Sequence, residues 1–421
     1  MKTGKRLFQL SAGVCLLFSA LALQAEPLPG ENLAGLLAVA KANNPELNGM
    51  RHELTAAEAR VQSAGALPDP RLRTEWMDLT RGGQQSPTLD PSRVGTVRYT
   101  LMQEIPWFGK RDLKQEIASA DAQAARYRVD GSWNELAARI KVAHAANYYL
   151  RKNELLTREI LGLMASLEQL ARGRYASGLA PQQDVIRAQL EQTAMRNELI
   201  ELERTRAQLR SRLNALLGRP AQSALAEPAT LRPVSPRLAY AELEARTLAN
   251  SPLLAAERQR IQGAEKGRDL AYRNRYPDLT LGVVPNQVRN EVRQWDFMLE
   301  LNIPLQQASR RAQESEAEAM LAASQSRQEA LIRQLQADLA ENLSGLEATQ
   351  RSLNLLESTQ LPQAELGVAA ALAAYETGKL DFTSVLEAHR QVRQTRQKQI
   401  ALLGEAQVRL AEIERIVGED L

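Results

Sequence analysis

Cysteine, histidine and aromatic side chains are scarce in this chain of 421 residues, which carries one Cys, three His and 4% aromatics. A single cysteine excludes a disulfide framework and a thiolate metal site. Few aromatics argue against a thick mixed core, whereas the abundant Ala, Leu, Gln, Glu and Arg suit long helices. No nucleophile elbow, phosphate loop, zinc-ligand pair or nucleotide fingerprint occurs, so neither enzyme chemistry nor a cofactor is expected. His52, His144 and His389 have no partner at i+3 or i+4 and read as exposed or half-buried helical residues, not ligands. Net charge is missing too. The chain has 53 basic and 50 acidic residues; Lys2, Lys5 and Arg6 account for the whole excess, and a chain balanced beyond them is no nucleic-acid binder.

Long apolar runs are absent except at the start. Lys2, Lys5 and Arg6 precede the apolar stretch from Leu7 to Leu23, and Ala25 offers a small residue for cleavage, so residues 1–25 read as a secretory signal. The alternatives are an uncleaved anchor and a lipidated Cys15. The stretch is short for an anchor. Val14 is a poor residue before a lipidated cysteine, and apolar sequence continues past it.

What the chain does contain is a duplication. Residues 171–218 and 371–418 align without a gap, pairing Tyr175 with Tyr375, Gly178 with Gly378, Val185 with Val385 and Gly218 with Gly418. Such self-similarity implies like units packed pseudo-symmetrically. Upstream features recur as well: Asn44-Pro45 and Ser251-Pro252, Leu67-Pro68 and Tyr276-Pro277, Ile105-Pro106 and Ile303-Pro304. The repeats span about 33–218 and 240–418, joined by a connector at 219–248 that holds Pro220, Pro228, Pro233 and Pro236.

Within each half the hydrophobic period changes. Residues 33–67 read as helix, restarting at Pro45. Residues 71–80 and 93–104, then 278–284 and 292–303, alternate as strands; Trp295, Phe297, Leu299 and Leu301 lie between Asp296, Met298 and Glu300. Proline-free sequence from Lys110 to Arg172 predicts a helix about 95 Å long. It turns at Gly178 and returns through 181–217, where Leu202, Leu209 and Leu216 keep heptad spacing. A second long helix spans about 306–375, bent at Pro362, whose counterpart is Gly162. Met77, Met102 and Met298 read as packing toward lipid or lumen.

Four strands of about ten residues span a bilayer when tilted, yet cannot close a barrel. Open edges are not tolerated in lipid, so the chain must assemble with copies of itself. Two copies leave almost no lumen; three provide twelve strands.

The ordered, duplicated set of helix starts, strand pairs and Tyr-x-x-Gly tips resembles the TolC-like outer membrane factors, over nearly all of the chain beyond residue 25. That resemblance implies a mainly α fold with a small transmembrane β part: a homotrimeric duct whose 12-stranded barrel, from strands at about 71–104 and 277–304, continues as a periplasmic helical tunnel built from 107–217 and 305–417. It places the connector in an equatorial girdle. It also implies an outer-membrane location in a Gram-negative bacterium, a periplasmic adaptor (membrane fusion protein) and an inner-membrane pump, here a proton-driven one of the RND type. The segment Gln103-Glu104-Ile105-Pro106-Trp107-Phe108-Gly109-Lys110 is similar to the branch serving heavy-metal efflux. Type I protein secretion and drug efflux stay open as alternatives, as does a periplasmic coiled-coil scaffold.

The resemblance also assigns residues. Gly178, Leu179, Ala180, Gly378, Lys379 and Leu380 fall on the adaptor-docking tips, although a glycine there serves any helical hairpin. Asp184 and Tyr375 fall on a bonded gate pair, and Glu387 on an acidic ring at the tunnel mouth. A second acidic position is Ser384 here, and a gate arginine position is Leu380. The plainer reading of these carboxylates is a solvated helix face.

Overall fold

The computed structural model describes residues 28–234 and 239–421; the signal-like segment, with Cys15, lies outside the described residues. Each half begins with a broken helix. α1 (Leu33–Asn43) stops at Asn44, whose Oδ1 accepts the Leu47 N–H at 2.9 Å and so caps α2 (Pro45–Ala64), with Pro45 at the first turn. The same Asn44 donates Nδ2 to the Leu216 carbonyl at 2.9 Å, tying the break to the far end of the hairpin that follows. In the second half α5 (Tyr240–Asn250) and α6 (Pro252–Arg273) break at Ser251.

Each broken helix leads into two strands: β1 (Arg71–Met77) and β2 (Thr96–Ile105), then β3 (Asp278–Val288) and β4 (Glu291–Asn302). They form one antiparallel sheet in the order β1-β2-β3-β4, leaving β1 and β4 as edges. Their lengths correct the expected bounds. β1 ends at Met77 because Asp78 turns left-handed at φ 59° and the loop to β2 folds on its own bonds. β3 runs through Pro285 to Val288, because Arg289 and Asn290, both at positive φ, make the two-residue turn that suits a twisted hairpin. Pro285 fits since the β2–β3 ladder skips from Asn286 to Val283, so its missing N–H costs no rung there.

From the sheet run the long hairpins: α3 (Lys110–Ala176) with α4 (Gln182–Leu216), and α7 (Gln307–Leu355) continued by α8 (Leu361–Glu376), with α9 (Phe382–Val417). At 67 residues α3 is about 100 Å long. Gly162 leaves it unbroken. The expected bend at Pro362 takes the form of a single π turn, Leu356–Gln360, just before the proline. The ring would clash with the carbonyl four residues back, and one wider turn absorbs it. Along α4 the heptad leucines Leu202, Leu209 and Leu216 are half-buried in the single chain and Leu213 is fully buried, while towards the tip a buried line runs Val185, Ala188, Gln192, Met195.

No helix among the described residues is long and apolar enough to cross a membrane. Apolar burial is instead distributed along the helices. One core joins α3, α4, α8 and α9 near the tips, around Ile160, Met164, Val185, Tyr375 and Phe382. Another joins α5, α6, α7 and α9 around Leu243, Leu254, Leu339 and Ile413. Hairpin ends close back onto their own halves. Gly218 (φ +67°) lies so near the Asn43 carbonyl that a Cβ would fall 2.4 Å from its oxygen, and a Cβ on Gly418 (φ +90°) would fall 3.1 Å from the Asn250 oxygen.

Between these halves sits a buried ionic knot. Glu414 accepts from Lys141 at 2.8 Å and from both terminal nitrogens of Arg232 at 2.5 and 2.9 Å, while the Leu421 N–H donates to it at 3.0 Å. Lys141 also reaches Asp420. Helix α3, the connector and the last residues are thus held on one carboxylate. Removing one member of such a knot strands the rest in a dry site, at a cost of about 3–5 kcal/mol. Glu414→Ala is therefore expected to lower the thermal midpoint of the purified protein sharply, and Lys141→Met added to it to recover part of the loss. An unchanged midpoint for Glu414→Ala would show that the knot contributes nothing.

Candidate functional site

The sheet has two chemically different faces, and the register fixes which residues share each. Leu72, Trp76, Leu101, Val283, Trp295, Phe297, Leu299 and Leu301 lie on one face. All of them are exposed, Trp295 by 69% and Phe297 by 70%. Water-exposed apolar rows of this extent mark a surface that meets something apolar. A bulge keeps the pattern through the hairpin: Gln287 pairs with Val292 and Asn286 with Gln294, so Arg293 is the extra residue and Val292 rejoins the apolar face.

The opposite face is polar and internally bonded. Arg71 meets Glu104 at 2.7 Å, Arg73 meets Glu75 at 2.7 Å, and Arg98 donates to Asn286 at 3.1 Å. Asn286 and Gln294 both donate to Asp296, at 2.6 and 2.7 Å. Met77, Met102 and Met298, expected toward either lipid or lumen, all lie on this polar face. Where the sheet meets the helices, buried Lys110 donates to Asp278 at 2.8 Å and to the Tyr276 carbonyl at 2.9 Å; Trp107 stacks on Tyr276 with ring centroids 5.4 Å apart. This junction sets the direction in which α3 leaves the sheet.

At the other end are the two hairpin tips. Gly178 (φ +71°) and Gly378 (φ +76°) allow both turns. Leu179, Lys379 and Leu380 are exposed there, and Ala180 half-buried. The equivalent tyrosines part company: Tyr175 is 47% exposed, Tyr375 only 2%. Tyr375 packs against Phe382 and donates its hydroxyl to Asp184 at 3.5 Å. Burial raises the Asp184 carboxyl above the usual range, against the pull of Arg187 and of the bond from Tyr375; burial also raises the Tyr375 phenol, with Asp184 adding to it. Ser384 donates N–H and hydroxyl to Asp381, capping α9. Glu387 projects from the exposed side of α9, its side chain 70% exposed, with Arg390 at 3.5 Å.

Sequence reading missed Arg174 and Arg187. The Arg174 guanidinium lies 4.7 Å over the Tyr375 ring and donates to the Glu376 carbonyl at 2.9 Å, crossing from one tip to the other. Arg187 reaches Thr383 in the same sense. No motif announces either contact, because both depend on how the two hairpins pack. The histidine expectation needs correcting as well: His52 is exposed, but His144 and His389 are buried. Desolvation lowers both, with Arg232 lowering His144 further while a bond to the Gly30 backbone opposes. Among the described residues no group of three or more His, Cys, Asp or Glu is placed to hold a metal ion.

The raised Asp184 carboxyl has a testable sign. Between its ordinary and its raised value the folded chain binds more protons than the unfolded chain, so the site's stability falls as pH rises through that window. Asp184→Asn, which keeps an acceptor without the charge, is expected to raise the thermal midpoint at neutral pH. The advantage should shrink on acidification; a difference independent of pH would contradict the assignment.

Comparison with known proteins agrees with this geometry. The family model for outer membrane efflux proteins matches residues 36–219 and 243–419. The cobalt-zinc-cadmium resistance protein CzcC of Cupriavidus metallidurans is 26% identical over 396 residues, covering 92% of this chain and 90% of its own. Two solved structures share the fold: a membrane protein from Pseudomonas aeruginosa (TM-score 0.80, 20% identity, 93% of this chain and 91% of that one) and CusC (TM-score 0.79, 16% identity, 93% of each). With both repeats matched and the two-faced sheet in place, the chain belongs to the outer membrane efflux protein family.

Proposed function

We propose that three copies of this chain form the outer-membrane exit duct of a tripartite efflux system and that its cargo is heavy-metal cations. The observation that carries the duct is the sheet: one exposed apolar face, one polar face, and two open edges on a pair of hairpins about 100 Å long. Four strands enclose nothing, and three chains supply the twelve that a water-filled barrel needs. The likeness to CzcC over 92% of this chain supports metal cations as cargo. Residues 1–25 direct export, the connector 219–248 belongs to an equatorial girdle, and the tips around Gly178 and Gly378 meet a periplasmic adaptor that couples the duct to a proton-driven inner-membrane pump. The chain itself is passive: it supplies a path, and the pump supplies the work.

In this reading the tips are the gate. Tyr375, held by Asp184 and stacked under Arg174, keeps the second hairpin against the first. Three Glu387 carboxylates around a trimer axis attract cations to the mouth. Tyr375→Phe and Asp184→Ala are each expected to raise single-channel conductance in planar bilayers, and unchanged conductance in both would remove the tether. Glu387→Gln is expected to lower the preference for cations over anions in reversal-potential measurements.

Cargo is tested in the cell. A deletion strain grown with zinc, cadmium, cobalt, copper or silver salts is expected to fail at concentrations its parent tolerates, with growth restored by a plasmid copy. Sensitivity confined to dyes and detergents would move the cargo to drugs. Loss of a secreted protein with no change in resistance would move it to type I secretion.

A further inference from the structure

The chain carries its own template for the seam between subunits. Its two strand pairs are repeats of one another, so the pairing of β2 with β3 inside the chain stands for the pairing of β4 with β1 of a second copy. The equivalences are set by sequence and by element ends. Ile105-Pro106 and Ile303-Pro304 close β2 and β4, placing β4 residues 198 positions after their β2 counterparts. Pro68-Asp69 and Pro277-Asp278 open β1 and β3, placing β3 residues 209 positions after those of β1; the ends of α2 at Ala64 and α6 at Arg273 keep the same spacing.

Observed pairs then translate directly. Gln103 opposite Leu281 becomes Leu301 opposite Leu72, and Met102 opposite Gly282 becomes Glu300 opposite Arg73. Continued along the strand, the same register sets Phe297 opposite Trp76. We propose that the subunits of this protein join in that register, β4 of one copy antiparallel to β1 of the next, with Glu300 and Arg73 forming an ion pair on the polar face and Leu301–Leu72 and Phe297–Trp76 forming apolar pairs on the other. The proposal rests on the barrel reading above and adds to it which residues touch.

Three independent features agree with this register. It keeps each face continuous across the seam, the face of Leu72 and Trp76 meeting that of Leu301 and Phe297 and the face of Arg73 meeting that of Glu300. It sets an arginine against a glutamate directly across the seam, an arrangement that stabilises antiparallel pairs. Shifts by two residues in either direction also preserve the faces, but one, with Pro70 matched to Pro277, sets Glu75 against Glu300, and the other sets Glu75 against Asp296, and like charges directly opposite are destabilising. Neither edge is capped by proline or folded away: β1 is exposed or half-exposed along all seven residues, and β4 is largely exposed.

Cysteine cross-linking reads the register. Directly opposed antiparallel residues have Cα atoms about 4.5–5.5 Å apart, within reach of a disulfide, whereas residues displaced by two stand roughly 7–8 Å apart and are not bridged. The double variant Arg73→Cys/Glu300→Cys, oxidised in isolated outer membranes, is expected to give a reducible ladder ending at the covalent trimer. Arg73→Cys/Asn302→Cys and Arg73→Cys/Met298→Cys are expected to give none, and the single-cysteine variants run beside them account for Cys15. A ladder strongest in a displaced pair overturns the register, as does a trimer captured by an amine-reactive cross-linker while Arg73→Cys/Glu300→Cys stays unlinked. A protein that remains monomeric toward every reagent overturns the barrel reading itself. Charge exchange gives a second readout: Arg73→Glu alone should lower the temperature at which the trimer dissociates in SDS, and Arg73→Glu/Glu300→Arg should restore it.

Discussion

Backbone hydrogen bonding in lipid is the constraint on which this architecture depends. β1 and β4 are the edges of the sheet, each presenting one row of N–H and C=O groups that pairs with no strand among the described residues. In water such a row is a tolerable edge; in hydrocarbon each unpaired group costs several kcal/mol. The apolar face from Leu72 to Leu301 commits the sheet to hydrocarbon, and the edges then commit the chain to copies of itself. The remaining structure serves that commitment. Lys110 and Asp278 fix where strand becomes helix, and the stacked Trp107 and Tyr276 hold the junction. The helices beyond need no lipid-facing stripe, because they carry the wall into water, where long polar helices are stable once paired along an apolar seam.

The two hairpins are repeats of one another, and they depart from that likeness at a few definite places. Gly162 and Pro362 are equivalent positions, yet α3 runs through unbroken while the second hairpin takes a π turn at Leu356–Gln360. Tyr175 and Tyr375 are equivalent too, yet one faces solvent and the other is enclosed by Phe382, Asp184 and Arg174. The loop after β1 is long and internally bonded, whereas β3 and β4 are joined by two residues. The second hairpin therefore differs from the first along its length: a π turn in its shaft and a buried aromatic at its tip.

Much of this was legible in the sequence, for identifiable reasons. Asn44-Pro45 reports a helix break because asparagine caps and proline opens a helix whatever surrounds them. Alternation along Trp295–Leu301 reports a strand because one side of it meets a single environment. What escaped depends on contacts between distant segments. Pro285 reads as a strand stop, and only the gap in the β2–β3 ladder shows why it is admitted. His144 reads as a surface residue until the segment at Gly30 and the connector at Arg232 are seen to cover it. Arg174 and Arg187 look like any basic residues on a long helix; their partners Tyr375 and Thr383 come from the other repeat, about 200 positions away. Leucines at seven-residue spacing identify a seam without saying which surface closes it, and in the single chain Leu202, Leu209 and Leu216 are only half covered.

The charges on the sheet's polar face are for the most part paired among themselves. Arg71 faces Glu104, Arg73 lies beside Glu75, and Asp296 is shared by Asn286 and Gln294. A wall built this way is polar, yet most of its carboxylates already have partners in the chain, so a cation meeting them would have to displace an arginine or an amide to gain a ligand. That keeps residence short, and conduction needs binding weak enough to leave as well as favourable enough to enter. Glu387 differs: it stands at the opposite end of the hairpins, largely exposed, with only Arg390 near it at 3.5 Å. The exposed carboxylate at the tips is thus more open to counter-ions from solution than those on the sheet, which their neighbours largely neutralise.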